Sequence, residues 1–178
     1  MTALVAWLAA LCFLAGCSQA RPSRLPVERA SHIVVAVVSN GVVSDPEANF
    51  LGDLVVKEIK ATGKFGRVDR QSGPPGAGEV LLKCEVREVR VVPVSDDTRT
   101  LQRLIVPFPP LHPRELKRYG VSVHVSAIDG ASGEVLGETD VQGVSREGTV
   151  PEGTVVGGAK AQAMEAVAQA LGAVVGAR

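Results

Sequence analysis

Aromatic side chains make up only 3% of this 178-residue sequence, so a core built on stacked rings is excluded and Val, Leu, Ile and Ala must fill it instead. Charge of one sign is missing too: 19 Lys plus Arg balance 19 Asp plus Glu. No surplus therefore draws nucleic acid or an anionic surface, and nucleic acid is not expected as a partner. Long hydrophobic runs are absent apart from residues 4–14, which fall short of the roughly 18–20 residues that span a bilayer. Catalytic motifs are missing as well. His32, His112 and His124 stand apart, without Cys or carboxylate neighbours at metal-ligand spacing. Gly157-Gly158 lacks the spacing of a phosphate loop, no serine sits in a G-x-S-x-G elbow, and Asp96-Asp97 alone supplies too few oxygens for calcium. We therefore expect no catalytic residue, no metal, no bound cofactor and no enzyme.

What is present begins with Leu14-Ala15-Gly16-Cys17, directly behind the apolar run. This resembles the lipobox of bacterial lipoproteins, whose signal peptide is cut before the cysteine. The resemblance implies a diacylglycerol and an N-acyl chain on Cys17, and a membrane partner held through that lipid. Residues 1–16 hold no Lys or Arg, unlike the usual positive n-region, which leaves either an upstream start or a tolerated weak one. With Cys12 lost in the signal and Cys17 acylated, Cys84 would stand alone and no internal disulfide could form. Its alternating apolar surroundings point to a buried, inert thiol.

The expected organisation is a signal peptide at 1–16, a flexible tether at 17–31 with two prolines and three arginines, and one domain at 32–178. Residues 33–38 form an unbroken, mainly β-branched run that suits a strand covered on both faces. A helix then starts either with Ser44 and Glu47 at capping-box spacing or with Asp45 ahead of Pro46. Phe50, Leu51, Leu54, Val55 and Ile59 give it an apolar stripe, and Gly63 ends it. A short strand is predicted at 66–70 and a long one at 79–92. The apolar phase of the long strand slips after Glu88, which predicts a bulge near Arg87 and Glu88 or an exit from the sheet there.

Residues 93–118 form a long insertion with five prolines and an apolar centre. Loops of this length are uncommon inside a domain and often functional. Leu104, Ile105, Val106, Phe108 and Leu111 are its candidate partner contacts, either as a lid on the domain or as an exposed docking segment. A hairpin follows at 119–128 and 134–144 around Asp129-Gly130-Ala131-Ser132-Gly133, with a further edge strand possible at 149–156. An Ala-rich helix over 157–176 closes the chain, its stripe formed by Met164, Val167, Ala168, Leu171, Val174 and Val175. The expected fold is α/β (α+β): one mixed sheet of about four or five strands with two helices on one face, in the order β-α-β-β-(long loop)-β-β-α.

Three stretches carry a wider resemblance: Ala48-Asn49-Phe50-Leu51-Gly52-Asp53-Leu54 with Gly63-Lys64-Phe65-Gly66-Arg67-Val68, the strand from Glu79 to Val86, and the hairpin with its Asp129…Ser132-Gly133-Glu134 turn. Across residues 33–175 the pattern resembles small envelope lipoproteins. These include the lipopolysaccharide-assembly lipoprotein, lipoprotein activators of penicillin-binding proteins, the curli secretion-channel lipoprotein, and relatives with a domain like the N-terminal one of TolB. It implies an accessory or adaptor role with an envelope protein as partner, or else an oligomeric secretion-channel subunit. Ser18 rather than aspartate after Cys17 implies the periplasmic face of the outer membrane.

Overall fold

Five of the six side chains from Ile33 to Val38 are β-branched, and such residues pack best on a pleated surface. In the computed structural model, which describes residues 25–27, 30–92, 118–146 and 158–176, this run is β1 (His32–Val38). Helix α1 (Asp45–Ala61) follows, then β2 (Arg67–Arg70), β3 (Glu79–Val92), β4 (Arg118–Asp129), β5 (Val135–Val144) and α2 (Ala159–Gly176).

The strands form one mixed sheet in the order β2-β1-β3-β4-β5. β1 runs parallel to β2 and β3, while β3–β4 and β4–β5 are antiparallel. A parallel neighbour needs a crossover, and α1 supplies it between β1 and β2. α1 packs on β1 and β2, α2 packs on β4 and β5, and the helices touch each other. The fold is thus the expected one, with both helices on the same face of a five-stranded sheet.

The core lies between sheet and helices. Alternate residues Ile33 and Val35 of β1, Leu82, Cys84 and Val86 of β3, and Val121, Val123 and Val125 of β4 are buried there. Leu51, Val55 and Ile59 of α1 meet them, as do Met164, Val167 and Leu171 of α2. The predicted phase slip appears as a register shift between Val86 and Glu88 against β4: Val86 pairs with Val123 and Glu88 with Ser122. One extra residue on β3 keeps Val89 over Val121, so the strand continues past the bulge instead of leaving the sheet.

The ends of the domain differ from the sequence expectation. Leu25 and Val27, placed in the tether, are buried in the core cluster, and an added Cβ on Gly137 of β5 would meet Pro26 and Leu25. Packing therefore begins before residue 31, because two branched apolar side chains bury area that a solvated tether would leave exposed. Arg118, counted with the insertion, is instead the first residue of β4 and pairs with Val92. The insertion thus leaves and returns at neighbouring points on one end of the sheet. The lipobox, the rest of 93–118 with its five contact residues, His112 and the possible strand at 149–156 lie outside the described residues.

Candidate interaction surface

Strand alternation sends every second side chain to the face away from the helices, where an apolar row of Val34, Leu81 and Ile128 crosses β1, β3 and β4 beside polar side chains. His124 of β4 lies level with Glu85 of β3 and Asp140 of β5. Its Nδ1 is 2.9 Å from Asp140 Oδ1 and its Nε2 is 3.7 Å from Glu138 Oε1. Ser126 Oγ donates to the same Glu138 carboxylate at 3.2 Å. Glu85 accepts from Lys83 Nζ at 2.6 Å and from Arg87 at 3.2 Å. The Lys83 hydrogen bond, aided by the charges of Lys83, Arg87 and His124, holds the Glu85 carboxyl below its ordinary value.

A second cluster occupies the start of the sheet. His32 stands between two carboxylates, with Nδ1 2.8 Å from Glu79 Oε1 and Nε2 3.2 Å from Asp69 Oδ2. Arg67 Nε also donates to Asp69. Desolvation raises the Asp69 carboxyl, but Arg67, His32 and Lys60 outweigh it and the net shift is downward. Because the two imidazole nitrogens point opposite ways, the carboxylates do not converge on one point. Among the described residues no group of three or more His, Cys, Asp or Glu could hold a metal ion.

On the helix side the polar contacts hold elements together. Arg70 Nη1 donates to the Asn49 carbonyl at 2.7 Å and to Asp53 Oδ1 at 3.2 Å, fastening β2 to α1. Gly52 makes room for that guanidinium, since a Cβ there would overlap Nη1. Glu47 accepts from the Ser44 N–H and hydroxyl at 2.8 Å each, and from Lys160 Nζ of α2 at 3.1 Å. Desolvation raises the Glu47 carboxyl, yet these bonds bring it below its usual range. Cys84 is fully buried and its thiol is pushed up to about 12 by desolvation, matching the inert role expected. A broad groove, open to solvent, runs between the C-terminal ends of the two helices, past Glu58, Thr62, Lys64, Gln169 and Gly172.

Among the described residues the sheet leaves two edges, β2 and β5. On β5, Val135 and Leu136 are 50% and 37% exposed beside Glu138 and Asp140. The carboxylate partners of both histidines escaped sequence reasoning, because cross-strand register places them and sequence spacing does not show it. The only available signal was alternation, which put His124 on the face away from the core.

Fold and surface together define an open-faced α+β domain, one sheet face closed by helices and the other not. No family model and no curated protein matches the chain. Among solved structures it resembles a variant of the PelC dodecamer from Paraburkholderia phytofirmans, at 15% identity over 88% of this chain and 95% of that one, with a TM-score of 0.50. It also resembles a Xanthomonas campestris protein of the family DUF330, at 14% identity over 85% and 88%, with a TM-score of 0.52. These likenesses establish a shared fold. No helix among the described residues is long and apolar enough to cross a membrane.

Proposed function

We propose that this chain is a lipoprotein of the bacterial envelope, anchored through Cys17 at the periplasmic face of the outer membrane, where it acts as a non-catalytic accessory protein. The location rests on Leu14-Ala15-Gly16-Cys17 behind an apolar run. The role rests on one structural observation: β5, an edge strand among the described residues, carries exposed apolar and acidic side chains, which suit a protein partner. Residues 104–111 are its second candidate contact. Intact mass of the membrane-extracted chain should show processing at Cys17 with added acyl chains, and Cys17→Ser should move the protein to the soluble fraction. A Cys17→Ser chain that still fractionates with the outer membrane would sink the anchor.

The PelC likeness favours a second reading, a subunit of an oligomeric envelope assembly, since that structure is a dodecamer. Native mass spectrometry of the detergent-extracted chain separates the two readings: a monomer removes the second.

A further inference from the structure

The two edges of the sheet carry opposite charge. Residues 134–144, which contain β5, hold Glu134, Glu138 and Asp140 and no Lys or Arg. Residues 57–70, which contain β2 and the end of α1 packed over it, hold five basic residues against Glu58 and Asp69, and with Arg70 paired to Asp53 the surplus rests on Lys57, Lys60, Lys64 and Arg67. Lys60 lies close enough to act on the Asp69 carboxyl, and the Arg67 side chain is 71% exposed. Among the described residues β2 and β5 each have a single neighbour in the sheet.

We propose that this chain self-associates head to tail, the acidic β5 edge of one copy docking on the basic β2 edge of the next. The proposal deepens the oligomeric reading above and rests on it. Strand direction agrees: β2, β1 and β3 run one way, β4 runs against them, and β5 runs with them again. The next copy's β2 therefore extends the sheet as a parallel strand, and the helices of all copies stay on one side. β2 has only four residues, so ladder hydrogen bonds are few. Charge complementarity and the exposed Val135 and Leu136 carry the rest of the contact.

The same charges select the symmetry. A two-fold dimer through β5 would set Glu134, Glu138 and Asp140 against their own copies, and like charges on an edge strand are a known block to such pairing. A β2–β2 dimer would likewise oppose its basic residues. The heterologous contact that remains closes into a ring or runs on as a filament, and does not stop at two.

A charge-swap experiment on the full chain in detergent tests this. One variant carries Glu134→Lys, Glu138→Lys and Asp140→Lys; the other carries Lys60→Glu, Lys64→Glu and Arg67→Glu. Mass photometry should find wild type larger than a dimer, each variant alone monomeric and still melting cooperatively, and their mixture reassembled, because each mutant edge then meets an opposite one. A wild-type monomer or dimer overturns the proposal, as does assembly that survives both reversals or monomeric variants that stay apart on mixing. Should a variant fail to fold, salt gives an independent reading on wild type. Assembly should fall apart as ionic strength rises from about 0.01 to 1 M, where the screening length drops from roughly 30 to 3 Å. Salt-insensitive assembly counts against it. A monomer that is still acylated and membrane-bound defeats this inference and leaves the accessory role standing, whereas ring assembly by a chain that is never acylated defeats only the anchor.

Discussion

At single positions, close backbone approach sets the tolerance to substitution. An added Cβ on Gly143 of β5 would lie 2.3 Å from the Ala163 carbonyl oxygen and 2.5 Å from the Val167 nitrogen, so α2 rests directly on this glycine. Gly143→Ala should force helix and sheet apart and cost about 1–3 kcal/mol, read from chemical denaturation. Asp129 is a different case. Its Oδ1 accepts from Ser132 N at 2.8 Å, Ser132 Oγ at 3.0 Å and Ala131 N at 2.9 Å, and the Ser132 backbone bond above all holds its carboxyl below the ordinary value. A depressed folded-state pKa stabilises the native chain above the unfolded-state value, and that contribution disappears as pH falls through the folded one. Asp129→Asn should therefore shallow the acid limb of stability against pH, with a thermal-melt series from pH 7 downward as the measure. For Cys84, desolvation raises the pKa to about 12. In a chain with Cys12→Ser and Cys17→Ser, a thiol reagent at pH 8 should modify it no faster than the protein unfolds.

At the scale of elements, local chemistry accounts for most boundaries. The α1 stripe, its Ser44–Glu47 start and its end before Gly63, whose φ of +64° suits a residue without Cβ, were all legible in sequence. Glu47 also reaches Lys160 on the other helix, which no local pattern announces. Glu47→Ala should thus cost more than the roughly 1 kcal/mol of a lost cap, and a double-mutant cycle with Lys160→Ala should show coupling. The bulge in β3 was equally legible, because a phase slip in a two-residue period permits few repairs. The His32 and His124 clusters were not: Glu79, Asp69 and Asp140 reach them only across strands, and which residues face each other depends on register between segments far apart in the chain.

For the whole molecule, the one-sided helix layer makes two faces and two edges with different tasks. The closed face carries stability, and it extends to Leu25 and Val27 ahead of the first strand. Leu25→Ala should cost about 2–5 kcal/mol if its site cannot collapse, an outcome that equilibrium denaturation measures and that a tether residue would not give. The open face and edges carry the charge pattern on which the head-to-tail assembly rests. Sequence alone determined the element order, the stripe and end of α1 and the phase slip in β3, because each depends on periodicity or on residues within a few positions of one another. Only the tertiary structure decided the strand order, the pairing of the histidines with carboxylates and the opposition of an acidic β5 edge to a basic β2 edge. Those follow from which strands lie side by side, a choice made by burial of the shared core rather than by any local preference.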